Sequence, residues 1–158
     1  MAPQEHVRKV ESIIGHAFYS DQLINQALLA AGAENENHDG NRKLSQIGAN
    51  LVNALVVVMV YVTGASRGES LTSMITEIEA MTTTNDSKES TTNVTIDFTN
   101  KEHYAYIARQ TGIADCIGYD GRPGGMSPSV LRKAVNAIIA AVFLDTLDIK
   151  ITMGVMLR

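Results

Sequence analysis

Tryptophan is absent from this chain, and cysteine, proline and aromatic residues are all scarce. The 158 residues include 1 cysteine, 3 prolines and 5% aromatic side chains. Because so few aromatic residues are available, we expect a core built mainly from aliphatic side chains. The single cysteine, Cys116, excludes an intramolecular disulfide, and we expect a buried thiol in a reducing compartment.

An excess of positive charge is lacking as well. The formal net charge is -4 and the isoelectric point is about 5.5. A surface that binds phosphate strongly and nonspecifically needs clustered lysine and arginine, so this balance argues against one. It leaves room for a local basic face.

Targeting and membrane-spanning segments are not predicted either. The first residues include Glu5 and Glu11 and contain no apolar region of a secretory signal. The apolar run 51–62 is short for a membrane span and contains Asn53. We therefore expect an intracellular protein without membrane association, and the sequence does not distinguish cytoplasm, nucleus and mitochondrion.

The pattern of apolar residues predicts a single all-α domain over residues 1–158. Ser20 is the expected N-cap of the second helix, Gly15 ends the first, and Ser127 with Pro128 begins the last long one. The helix 41–62 is apolar on all sides and is predicted to be the central buried helix. Apolar residues at helical spacing predict helices at 5–14, 21–30, 41–62, 69–81, 100–110, from 128 onward, and within 147–158.

The segment 43–52 reads K-L-S-Q-I-G-A-N-L-V. It resembles the signature helix of the RNase III family, whose usual form is R-L-E-F-L-G-D-[SA]-V-L. The leucine, the branched apolar residue, the glycine and the later apolar pair are in register. The two acidic positions of the motif are occupied by Ser45 and Ala49.

A second segment, 129–145, reads S-V-L-R-K-A-V-N-A-I-I-A-A-V-F-L-D. It resembles the family helix S-x-L-A-D-A-x-E-A-x-I-G-A-x-Y-L-D. Lys133 stands at the aspartate position and Asn136 at the glutamate position. A further family glutamate, just before the signature arginine, falls on Arg42.

The resemblance covers nearly the whole chain and implies the all-α fold of an RNase III endonuclease domain. No double-stranded-RNA-binding domain is expected, because the sequence ends soon after the second motif. RNase III enzymes are metal-dependent phosphodiesterases, and Mg²⁺ requires hard oxygen ligands such as carboxylates. The resemblance therefore implies a degenerate active site, with no catalytic metal and no cofactor.

Two main interpretations of Lys133 compete. It is either a solvated residue of a decayed site, or its ammonium occupies the former metal position and contacts RNA phosphate. A different register or a dimer contact is a third possibility. The candidates for RNA binding are Arg42, Lys43, Arg132 and Lys133.

The remaining candidates for chemistry are weak. His6, His16 and His103 are scattered and show no metal-ligand spacing, and His38 with Asp39 is interpreted as part of a surface loop. The glycine-rich stretch 121–125 lacks the Lys-Ser/Thr pair of a P-loop and is interpreted as a turn. Cys116 has no recognisable histidine partner in the sequence, so a nucleophilic role is not predicted.

Family members dimerise through the signature helix, so the resemblance implies a homodimer, with Gln46, Ile47 and Asn50 as interface candidates. Gln46 replaces an aromatic residue that packs across the family interface, and this weakens the expectation. The leading hypothesis is a catalytically inactive RNase III-like protein that acts in RNA processing through duplex RNA binding, dimeric assembly or both. The alternatives are a structural ribonucleoprotein subunit, resembling the RNase III-like proteins of mitochondrial ribosomes, and an RNase III with a non-standard active site.

Overall fold

The computed structural model describes residues 2–33, 38–62, 101–119 and 126–156. Within these ranges the regular structure is helical, and a single isolated parallel bridge joins Leu29 to Gly118. The predicted all-α class is therefore confirmed. The predicted helix 69–81 and the glycine-rich turn 121–125 lie outside the described residues.

The helices follow the order of the predicted pattern closely. The last two are separated by only two residues, and a short 3-10 turn, Ala114–Cys116, lies between the fourth and fifth. The helices are α1 (Gln4–Ile14), α2 (Asp21–Ala27), α3 (Arg42–Val62), α4 (Lys101–Gln110), α5 (Pro128–Thr146) and α6 (Ile149–Met156).

Most of the local signals at the helix ends act as expected. Gly15 ends α1 in the left-handed conformation, with a φ of 66°. The Ser20 hydroxyl accepts a hydrogen bond from the backbone N–H of Gln22, at 3.4 Å, and so caps α2. Ser127 directly precedes Pro128 in the first turn of α5, although its side chain makes no capping bond. These short signals fix where the helices begin and end.

Helix α2 is shorter than predicted and ends at Ala27 instead of residue 30. The next residues leave the helix and pair with the segment before α5. The backbone N–H of Ala30 donates to the carbonyl of Gly118 at 2.9 Å, and the N–H of Gly118 donates to the carbonyl of Leu28 at 2.8 Å. This tertiary pairing outweighs the local helical pattern.

Helix α5 lies at the centre of the described structure. It makes its most extensive contact with α3, and α2, α4 and α6 also pack on it. The surrounding core is aliphatic, as the composition predicts. Its largest fully buried apolar side chains are Val7, Val10, Ile24, Leu28, Val52, Leu55, Leu131 and Val142.

The membrane prediction concerns mainly α3, which contains the apolar run. Among the described residues, no helix is both long enough and apolar enough to span a bilayer.

Candidate functional site at the crossing of α3 and α5

The start of α3 is fixed by the two residues that precede it. Gly40 has a φ of 48° and lies so close to the backbone of Leu29 and Ala30 that an added β-carbon would collide with it. Asn41 is 1% exposed, and its backbone N–H donates to the carbonyl of Leu29 at 2.7 Å. Its side-chain amide donates to the carbonyl of Ala27 at 3.1 Å. These bonds fix the start of α3 against the end of α2.

Helices α3 and α5 come into backbone contact at Gly48 and Asn136. A β-carbon added to Gly48 would overlap the main-chain carbonyl oxygen of Asn136. Two helices approach this closely only where one of them has no side chain. The glycine of the first motif thus fixes the point at which the two motif helices cross.

Four positions of the two motifs surround this contact. Ser45 and Ala49 lie on the same side of α3 as Gly48, and Lys133 lies one turn before Asn136 on α5. Ser45 and Asn136 are buried, Ala49 is half-buried and Lys133 is exposed. Helical spacing therefore places these four positions, which the resemblance assigns to metal ligands, at the same crossing.

Asn136 combines deep burial with an unused hydrogen-bonding atom. The residue is 5% exposed, and its side-chain oxygen Oδ1 is buried without a hydrogen-bond partner among the described residues. A buried polar atom left unpaired typically costs about 1–3 kcal/mol. The sequence alone gives no signal for this unpaired oxygen.

The donor set at the crossing does not fit a divalent metal. Ser45 offers a neutral hydroxyl, Asn136 a neutral amide oxygen and Ala49 nothing, whereas Mg²⁺ prefers carboxylates. Lys133 and Arg42 bring positive charge, which repels a cation. No cluster of three or more histidine, cysteine, aspartate or glutamate residues suited to a metal occurs elsewhere in the described part of the chain.

Two cationic candidates lie at the beginning of α3. Arg42 and Lys43 are both exposed. The Arg42 guanidinium lies 3.4 Å from the carboxylate of Asp39, with the two side chains 65% and 53% exposed. An ion pair at this level of exposure contributes little free energy, so Arg42 can exchange Asp39 for another anion at small cost.

The two cationic candidates on α5 differ in their surroundings. Arg132 is half-buried, whereas Lys133 is exposed. Burial raises the pKa of Tyr104 on α4 to about 12, and the opposing influence is the positive charge of Arg132. Arg132 therefore interacts with the protein interior, while Lys133 is directed toward solvent.

The interface candidates Gln46, Ile47 and Asn50 lie on the exposed side of α3. Ile47 is 42% exposed, and further along the helix Val58 is 43% exposed. The prediction that α3 is buried on all sides is wrong, because only the side that carries Gly48 packs against α5. The other side presents apolar residues to solvent.

A buried carboxylate at the end of α5 was missed in the sequence. The side chain of Asp145 is 2% exposed and lies 3.1 Å from Nε2 of His16. The same carboxylate accepts the backbone N–H of Tyr19 at 3.0 Å and that of Ser20 at 3.3 Å. The partners are separated by more than 120 residues in sequence, so only the fold brings them together. This cluster ties the α1–α2 turn to α5.

Cys116 is buried, as expected. Its thiol donates to the carbonyl of Gly112 at 3.6 Å, and burial raises the pKa of the thiol. A higher pKa reduces the thiolate population that a nucleophile requires. The structure gives no support for cysteine chemistry.

A separate apolar cavity of about 280 Å³ lies between α1, α4, α5 and α6. Its walls are mainly isoleucine, valine and methionine side chains, with His103, Gln110 and Thr111 among the few polar residues. None of the candidate residues on α3 and α5 lines this cavity. The cavity is therefore distinct from the crossing.

Comparison with solved structures identifies the fold. The chain is similar to the nuclease domain of ribonuclease III from Campylobacter jejuni, with a TM-score of 0.63 and 19% identity over 95% of this chain and 88% of that one. A second structure of that nuclease domain, described for structural flexibility in a region involved in dimer formation, gives a TM-score of 0.60 and 17% identity. That match covers 96% of this chain and 92% of the other.

Sequence comparisons add nothing to this likeness. No protein-family model matches the chain, and no curated protein does. At below 20% identity, the structural matches establish the fold alone. The chain has the RNase III nuclease-domain fold, as the two motifs predict.

Proposed function

We propose that this chain is a catalytically inactive protein with the RNase III nuclease-domain fold, which acts in RNA processing through duplex RNA binding, dimeric assembly or both. The observation that carries the proposal is the crossing at Gly48 and Asn136. The fold keeps this crossing, but the positions around it hold a hydroxyl, a methyl, an amide and an ammonium group. Phosphodiester hydrolysis with Mg²⁺ requires carboxylates there.

Exposed cations near the crossing support RNA binding. Arg42 and Lys43 lie at the beginning of α3 and Lys133 lies on α5, all exposed. Phosphate oxygens are the usual partners of such side chains in complexes with nucleic acids. The net charge of -4 limits this attraction to a local face, so we expect modest affinity that depends strongly on salt.

The exposed side of α3 supports dimeric assembly. Ile47 and Val58 leave apolar surface uncovered there, beside the polar Gln46 and Asn50. Burying such surface against a second copy is favourable at roughly 25 cal/mol per Å² of apolar area. The nuclease domain from Campylobacter jejuni, which has the same fold, is described as having a region involved in dimer formation.

A structural ribonucleoprotein subunit is the second candidate, and a different surface favours it. Exposed apolar side chains gather where α5 meets α6, with Leu147 74% exposed and Leu144, Ile149 and Ile151 close to it in sequence. Leu147 also has a φ of 51°, a conformation that normally favours glycine. An exposed leucine held in a strained conformation is a poor choice for stability alone, so a contact with another protein would explain it.

Two measurements test the proposal together. Purified protein is incubated with duplex RNA and Mg²⁺ or Mn²⁺, and cleavage is compared with a mock preparation. Binding of the same duplex is then measured over a range of salt for the wild type and for Lys133→Glu. Metal-dependent cleavage above the mock would favour an RNase III with a non-standard active site. Binding that Lys133→Glu leaves unchanged in affinity and in salt dependence would make the structural subunit the leading hypothesis.

A further inference from the structure

We infer that Lys133 and Asn136 together form a phosphate-binding site that needs no divalent cation, in which the amide oxygen of Asn136 holds the Lys133 ammonium in place. This inference rests on the proposed binding of duplex RNA. It assigns a role to each of the two residues that stand at the acidic positions of the second motif.

The first step concerns charge. A pair of carboxylates at positions 133 and 136 repels phosphate, so a metal ion must lie between them and the RNA. A lysine and an asparagine carry one positive charge instead, and an ammonium binds phosphate oxygens directly. The substitution therefore removes the need for the metal and supplies the charge from the protein itself.

The second step concerns the unpaired oxygen. Oδ1 of Asn136 is buried without a hydrogen-bond partner among the described residues. Lys133 lies one helical turn away, a spacing at which side chains meet on a helix surface. Its ammonium has three donors, so it can give one to Oδ1 and still offer two to a phosphate. Binding thus satisfies an atom that the free protein leaves unsatisfied.

The third step separates this pair from the other cations. Arg42 has an ion pair with Asp39, and the charge of Arg132 acts on the buried Tyr104. Lys133 is exposed and lies one helical turn from the buried Asn136. Asn136 is therefore a positioning residue, whose effect on RNA affinity must pass through Lys133.

The test uses a labelled, blunt-ended RNA duplex and the full chain. Binding is measured by fluorescence anisotropy over a range of salt, with EDTA or with Mg²⁺ at matched ionic strength. The variants are Lys133→Met, Asn136→Leu and the double variant. Lys150→Met, which removes another exposed lysine, on α6, is the matched control. Circular dichroism verifies that each variant is folded.

The wild type should bind the duplex in EDTA at least as well as in Mg²⁺. Lys133→Met should weaken binding several-fold and lower the salt slope by about one unit, whereas Lys150→Met should do neither. Asn136→Leu should also weaken duplex binding, but by less than Lys133→Met. In the double variant, Asn136→Leu should not reduce the affinity below that of Lys133→Met alone. If Asn136 has a purely structural role, Asn136→Leu should reduce the affinity for the duplex equally with Lys133 present and with methionine in its place.

Should Asn136→Leu fail to fold, Asn136→Asp serves in its place, because it keeps the shape of the side chain. Its carboxylate would pair with the Lys133 ammonium and cancel the charge, so the salt slope should again fall by about one unit. An unchanged slope in this variant would overturn the pairing of the two residues.

The remaining outcomes separate this site from the function on which it rests. If the wild type binds RNA and Lys133→Met binds equally well, the site is overturned and the RNA-binding proposal stands. Binding by the wild type that requires Mg²⁺ would overturn the metal-independent mechanism. If the wild type binds no duplex in either buffer, both the RNA-binding proposal and this site are overturned.

Discussion

Gly48 on α3 lies directly against the main-chain carbonyl of Asn136 on α5, with no space for a β-carbon between them. This contact brings two helices together at the positions that the family resemblance assigns to metal ligands. The side-chain oxygen of the same asparagine is buried without a hydrogen-bond partner among the described residues. Gly48 therefore determines how closely the two motif helices pack.

Gly48→Ala should destabilise the fold, because the new methyl group must push the two helix backbones apart. Overpacking of this kind costs about 1–3 kcal/mol or more. Gly154→Ala on α6 is the matched control, since nothing lies within 4 Å of the added β-carbon. Alanine should be favoured there by up to about 1 kcal/mol, as in other helices. Urea denaturation measures both changes, and equal stability of the two variants would contradict the close approach at Gly48.

Duplex RNA should remain intact when the purified chain is incubated with Mg²⁺ or Mn²⁺. The reason is that Arg42, Ser45, Ala49, Lys133 and Asn136 provide no carboxylate for a metal. Gel electrophoresis of the labelled duplex provides the measurement, with an active ribonuclease III as the positive control. Cleavage that EDTA abolishes, and that a mock preparation lacks, would show that a metal site exists elsewhere.

The chain should form a homodimer in solution through the exposed side of α3. Ile47→Lys should weaken the dimer, because it places a charge within the apolar contact. Ile151→Lys is the matched control, since Ile151 is 43% exposed and Ile47 is 42% exposed. Sedimentation at micromolar concentration should show a species larger than the 17.1 kDa monomer for the wild type and for the control.

Gln46→Phe tests the same interface in the opposite direction. An aromatic side chain at this exposed position of α3 should strengthen the dimer, because aromatic anchors are among the strongest contacts at interfaces. Sedimentation over a dilution series measures the dissociation constant. A wild-type chain that remains monomeric, together with a Gln46→Phe variant that does not associate, would rule out this interface.

Asp145→Ala should destabilise the chain far more than removal of an exposed aspartate. The buried carboxylate accepts bonds from His16, Tyr19 and Ser20, and each bond to a charged group contributes about 1.5–3 kcal/mol. Asp115→Ala is the control, because its ion pair with Lys9 is exposed and should contribute at most about 1 kcal/mol. Thermal and urea denaturation compare the two, and equal losses would contradict the anchoring role of Asp145.

Tyr104 should make the stability of the fold depend on pH in the alkaline range. Burial raises its pKa to about 12 in the folded protein, against about 10 in the unfolded chain. The folded state thus holds the phenolic proton more tightly. The contribution of the protonated phenol to the free energy of unfolding is fully present below about pH 10. It declines as the pH rises from about 10 to about 12.

Tyr104→Phe should therefore reduce the alkaline loss of stability. Tyr106→Phe, which removes a 62% exposed side chain on the same helix, should keep the wild-type pH dependence. The free energy of unfolding in urea, measured at several alkaline pH values, is the appropriate quantity. Identical profiles for the two variants would show that burial of Tyr104 has no energetic effect on its ionisation.

Much of the fold could be predicted from short-range signals. A glycine that ends a helix, a serine that caps one and a proline in a first turn act within a few residues, so Gly15, Ser20 and Pro128 are readable in the sequence. The two motifs likewise identified the RNase III nuclease-domain fold, because the spacing of apolar residues and glycine is what the packing of α3 on α5 requires. The replacement of the acidic motif positions is also a property of the sequence alone.

The surroundings of the motif positions were determined only by the tertiary structure. The periodicity of apolar residues gave the length of α3. It did not show that one side is buried and the other exposed, because burial depends on which neighbouring helix packs against each side. Asn41 and Asp145 look like ordinary polar residues in the sequence, and they become anchors only when distant backbone groups reach them. The unpaired oxygen of Asn136 arises for the same reason: whether a buried polar atom is satisfied depends on atoms far away in the chain, and local sequence patterns do not encode their positions.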